Sequence, residues 1–241
     1  WLSIVPEFNP FKYNSFPVNG GRQSFRLTQV LQDQIGRMAN TNQLNGLAPI
    51  LTFQSVLDFT VSTRAIISAL YAYLPANGSE LVLFDVNRSV KFGPLLRRSS
   101  EAALARTLPD LPQAYRITIV GNDAANPAAT FARTIGAGET TERVKFLGVR
   151  YPPEIFSMSH VSIPFPLDDP LYGLYPDTTH EDFGVQLGTL APRGERGALV
   201  VNMDFLSRVA SNPFFPFMLE RIEYGILDPQ PRAMPGLLGT L

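Results

Sequence analysis

Cysteine is absent from this chain of 241 residues, which removes disulfides, thiolate metal sites and a cysteine nucleophile together. The same absence is compatible with any redox poise, so it leaves the compartment open. Charge of one sign is also missing: 20 Lys and Arg stand against 21 Asp and Glu, a net charge of -1. With no basic stripe, nucleic acid is not an expected partner, and a neutral or apolar one is. No apolar run approaches the roughly 18 to 20 residues of a membrane span, and the N-terminus lacks a basic segment followed by an apolar signal core. A soluble chain without a transmembrane segment is expected, and with no targeting signal in view the cytoplasm is favoured. Histidine occurs only twice, too sparsely for the spaced ligand sets of a metal site. Gly136-Ala137-Gly138 lacks the third glycine and following helix of a dinucleotide loop, so it reads as a turn and no cofactor is expected.

What is present is a globular composition, 45% hydrophobic, long enough for one large domain or a core with a small accessory part. The chain opens on Trp1 with no initiator Met and reads as a fragment of a longer protein. Residues 1 to 18 are rich in proline and aromatics and are expected to pack irregularly. Phe25, Leu27, Leu31, Ile35 and Met38 recur at spacings near three and four, predicting an amphipathic helix from about Gly21 to Ala39. Leu47 to Gln54 and Glu80 to Asp85 are short apolar runs, as in strands covered on both faces, and the helix between them, Thr63 to Leu74, makes a right-handed βαβ unit. Tyr115–Val120 and Arg143–Val149 alternate more and are expected as an antiparallel addition separated by a loop rich in Gly, Ala and Thr. The turn formers between residues 163 and 197 predict a long loop on the surface or across a site. A helix from about Met203 to Tyr224, interrupted near Asn212-Pro213, closes the series.

Two residues carry the candidate chemistry. Asp58 lies in the loop where the first apolar strand meets its helix, and His160 sits in Ser157-Met158-Ser159-His160-Val161-Ser162, among apolar and hydroxyl residues. From spacing alone His160 is equally a general base or a core histidine satisfied by backbone. His180, in Asp177-Thr178-Thr179-His180-Glu181-Asp182, belongs to a solvated acidic loop. Asp58 also has a plainer role, an N-cap accepting backbone N–H bonds. Asp85 competes with it at the end of the second strand, although an ion pair with Arg88 or Arg97 accounts for that residue more simply. Asp168 and Asp169, between prolines, read as turn chemistry. Asn77-Gly78-Ser79 and Asn87-Arg88-Ser89 match the glycosylation sequon, with no other sign of secretion.

Taken together these segments resemble the α/β-hydrolases of the serine aminopeptidase, lysophospholipase and monoacylglycerol lipase type. Pro6–Asn19 looks like a lid segment, Pro49–Ser62 like the strand and turn bearing the triad acid, and Ser157–Pro164 with Asp169–Gly173 like the histidine loop. The resemblance implies an α/β fold, a parallel sheet flanked by helices. It divides the chain into a lid over residues 1–45 and, over 46–241, the C-terminal part of the core, with an antiparallel insertion at about 88–150. It also implies that Asp58 orients His160, which would deprotonate a serine and then protonate the leaving group, with a carboxylic ester of a lipid or other apolar acyl group as substrate. The Gly-x-Ser-x-Gly elbow that presents the nucleophile is not in this sequence. In such folds the elbow precedes the lid, so an N-terminal half of the same protein is expected to supply it and to complete the sheet, whose parallel strands would otherwise have an unpaired edge. The alternative is a catalytically silent hydrolase-like protein that binds a ligand or partner.

Overall fold

Leu81, Val82 and Leu83 have no solvent exposure at all, and the strand they form has a parallel neighbour on each side. A computed structural model describes residues 18–56, 58, 61–86, 103–123, 126–151, 165–188 and 211–227. In it β1 (Leu51–Ser55), β2 (Glu80–Asp85), β3 (Arg116–Asn122), β4 (Ala129–Ile135) and β5 (Glu142–Arg150) form one five-stranded sheet in the order β1-β2-β3-β4-β5. The first three strands are parallel, with Leu51 beside Glu80 and Glu80 beside Arg116; β4 and β5 join antiparallel. The class is α/β with a mixed sheet.

Side chains alternate across the sheet and feed two cores. Leu81 and Leu83 of β2 and Ile117 and Ile119 of β3 meet Ile67, Tyr71 and Leu104 on one face. Val82, Phe84 and Val120 meet Phe214, Phe217, Met218 and Tyr151 on the other. Full burial of each such aliphatic side chain stabilises the fold by roughly 1.5–3 kcal/mol. The first face is covered by the crossovers α2 (Thr63–Ala69), its following 3-10 turn (Tyr71–Tyr73) and α3 (Ala103–Thr107); the second is covered by α4 (Phe215–Leu227). Right-handed crossovers between strands laid down in sequence order all fall on the same side, so the opposite face has to be covered by chain from elsewhere.

Helix α1 (Val18–Asn40) forms where the apolar spacing predicts it. It ends with Asn42 in the left-handed region (φ 56), and the Gln43 N–H reaches back to the Met38 carbonyl at 2.9 Å. None of its residues is buried, and Leu27, Val30 and Leu31 face solvent.

Two sequence expectations are corrected. The segment at Tyr115–Val120 belongs not to the antiparallel addition but to the parallel sheet, since β3 follows a second crossover through α3. Its burial on both faces at Ile117 through Gly121 is that of an interior strand. The expected loop between the two segments contains β4. Its inward positions are the small residues Thr130 and Ala132, which carry little hydrophobic signal. Met203 and its neighbours lie outside the described residues, and the helical turn after Asn212-Pro213 begins α4.

Candidate functional site

The C-terminal ends of parallel strands are where loops converge in open α/β sheets, and the loop after β1 is held there from both sides. Val56 donates its N–H to the Phe84 carbonyl at 3.0 Å, prolonging the β1–β2 pairing by one bond. The Asp58 N–H then turns back to the Ser55 carbonyl at 3.1 Å, placing Asp58 in the first turn beyond the strand. One carboxylate oxygen of Asp58 accepts the Val61 N–H at 3.0 Å, while the buried Gln54 amide donates to the Val61 carbonyl at 2.9 Å. Val61 is therefore gripped through both of its backbone polar groups, and the orientation of the Asp58 side chain is tied to that grip. The helix cap is a different residue: the Ser62 hydroxyl accepts the Ala65 N–H at 3.2 Å. The Thr63 hydroxyl closes the loop by donating to the Ser55 carbonyl at 3.1 Å.

Asp85 ends β2 on the same edge, beside Gly121 of β3. A Cβ at Gly121 would lie 3.4 Å from the Asp85 carbonyl oxygen and 3.6 Å from the Phe131 ring, so this end of the sheet is closely packed. The edge thus brings Asp58 and Asp85 to the ends of adjacent parallel strands. His160 lies outside the described residues, as do Arg88, Arg97, Asn87 and the lid-like segment before residue 18. His180 is exposed. Asp169 serves a turn, its carboxylate accepting the Leu171 and Tyr172 N–H groups at 3.0 and 2.7 Å. Asp177 does the same for Thr179, whose hydroxyl and N–H hold its carboxyl below the usual range. Asn77 of the sequon is buried: its amide donates to the Leu47 carbonyl and its oxygen accepts from the Ser79 hydroxyl.

At the opposite end of the sheet, sequence reasoning missed a charged cluster. Glu80 opens β2 with its carboxylate 3.5 Å from Arg116 and 3.6 Å from Arg221, and it accepts the Thr118 hydroxyl at 2.6 Å. This cluster ties α4 to the sheet and lies away from the loop edge. The only signal for it was an acid opening an otherwise apolar strand.

Among the described residues no group of three or more His, Asp or Glu is placed to hold a metal ion, and no helix is long and apolar enough to cross a membrane. Compared with family models, curated proteins and solved structures, the chain matches none.

Proposed function

We propose that this chain carries the acid and base of a serine hydrolase acting on carboxylic esters of lipids or other apolar acyl groups. The observation that carries the reading is Asp58, fixed through Val61 and Gln54 one turn beyond the C-terminal end of a parallel strand. A carboxylate on a loop at that position is suited to orient an imidazole and to stabilise the imidazolium that forms during acyl transfer. His160 is the base in this reading, and the chain's other histidine, His180, sits exposed in an acidic loop. The nucleophilic serine and the oxyanion donors come from chain preceding the lid-like segment, which would also pair with the edge of β1 that none of the described strands occupies. The fold is then the C-terminal part of an α/β-hydrolase.

The test uses the full-length translation product and a p-nitrophenyl ester of a medium-chain acid. His160→Ala is expected to abolish turnover and Asp58→Asn to lower kcat by about 10⁴, the loss expected when the imidazole tautomer is wrong. Activity of the His160→Ala protein near the parent level would remove that residue from the mechanism. A fluorophosphonate probe separates this reading from a silent binding protein: the hydrolase is labelled on one serine, and a protein with no activated serine is not.

A further inference from the structure

A buried amide at Gln54 is unusual in an apolar core, and the bonds it makes give it a use. Gln54 pairs with Leu83 of β2 and shares the strand alternation of Ile50 and Val56, which pack into the first core. An amide buried there without hydrogen-bond partners would destabilise the fold. Its N–H groups go to two backbone carbonyls of the loop after β1, that of Val61 at 2.9 Å and that of Ser55 at 3.3 Å. Both belong to residues that hold Asp58. Val61 donates its N–H to the Asp58 carboxylate at 3.0 Å, and the Ser55 carbonyl accepts the Asp58 N–H at 3.1 Å. One side chain thus bonds the residue that fixes the Asp58 carboxylate and the residue that fixes its backbone. Val61 is 47% exposed, so its place depends on those backbone bonds more than on the packing of its own side chain.

We propose that Gln54 is the positioning residue of the triad acid, an inference that rests on the hydrolase reading of Asp58. In that reading one carboxylate oxygen is committed to the Val61 N–H and the other meets the imidazole of His160, so the direction of the first bond sets where the second oxygen points. Without the Gln54 donor, Val61 loses the bond to its carbonyl and the carboxylate follows Val61. A misplacement of about 1 Å, arising away from the reacting atoms, can cost about 100-fold in rate. The ester does not bind through Asp58, so the loss falls on kcat and leaves KM alone. A glutamine that only closed the loop would change stability and leave the turnover of each folded molecule as it was.

The test uses the full-length protein, with kcat expressed per serine titrated to completion by a fluorophosphonate, so that unfolded molecules are not counted. Gln54→Met keeps the length of the side chain and removes its N–H donors; Gln54→Leu removes them with a different shape. Each should lower kcat for a p-nitrophenyl ester by about 10- to 100-fold with KM within about threefold of the parent. In an Asp58→Ala background the same changes should alter kcat by less than about twofold, because the group they position is gone. With His160→Ala inactive, a parent-like kcat per site in either Gln54 variant, or an equal loss in the Asp58→Ala background, would overturn the role of Gln54 and leave the hydrolase reading standing. An active His160→Ala protein would overturn the hydrolase reading and this inference with it.

Discussion

Tyr71 and Tyr115 lie edge to face with ring centres 4.7 Å apart, but their hydroxyls are treated differently. That of Tyr71 donates to the Glu80 carbonyl at 2.7 Å; that of Tyr115, a residue only 1% exposed, has no partner among the described residues. Tyr71→Phe is therefore expected to cost about 1 kcal/mol in urea unfolding, whereas Tyr115→Phe should be neutral or stabilising by up to about 1 kcal/mol, since it removes a buried polar group that gains nothing. Burial pushes both phenols up to about 12 from 10.0. The folded state holds the neutral form more firmly than the unfolded chain does. The stability this confers is complete below pH 10 and is lost as pH climbs from 10 to 12. Phenolate absorbance followed alongside circular dichroism should show the last tyrosines ionising together with alkaline unfolding; ionisation of all eight tyrosines near 10 in the still-folded protein would contradict the burial argument. Asp58 was legible at this scale because an apolar run bounded by turn residues locates a strand end, and the residue next to such an end has a predictable place. The grip of Gln54 on Val61 was not legible, because it depends on which way a strand side chain points after the loop has closed.

Among the elements, β2 and its neighbours show how much rests on a few polar groups at the strand starts. Asn77 holds the Leu47 carbonyl and the Ser79 hydroxyl, and that hydroxyl in turn accepts the Ile50 N–H at 2.9 Å. The starts of β1 and β2 are thereby tied side by side. Asn77→Ala should cost about 2–3 kcal/mol, read as a lowered urea midpoint with unchanged slope, because it strands the N–H and hydroxyl of the buried Ser79, both of which donate to the Asn77 oxygen. Glu80→Gln removes the charge that faces Arg116 and Arg221 and should cost about 1–3 kcal/mol. High salt should lessen that cost only slightly, because the carboxylate is nearly buried while its partners reach solvent. The helices α1 and α2 and the strands β1 and β2 were visible as periodic or apolar runs. Strand β4 was not, because Ala, Thr and Arg dominate Ala129–Ile135 and its inward positions are small. The direction of β3 was also hidden, since a strand reads alike in both directions and only the path through α3 decides between them.

For the molecule as a whole, β2 is the partition between two cores, giving Leu83 to one and Phe84 to the other. A shared strand couples them, so Leu83→Ala and Phe84→Ala, costing about 2–5 kcal/mol each, should both shift a single cooperative urea transition seen alike by far-ultraviolet dichroism and tyrosine fluorescence. Two separable transitions, each sensitive to one substitution, would show that the faces unfold independently. The placement of α4 against the second face was not legible from its own pattern, because an apolar helix face states that it must be covered but not by what. That placement has a consequence in time. Synthesis proceeds from the N-terminus, so all five strands and both crossovers have been made before Phe214, Phe217 and Met218 exist. Throughout that interval the first face of the parallel strands can be clothed by its own crossovers, while Val82, Phe84 and Val120 still lack Phe214, Phe217 and Met218, the partners that the last described helix and the residue before it bring. A ribosome stalled before residue 214 would thus hold a second face short of those three side chains, an apolar surface offered to whatever chaperone stands at the exit tunnel.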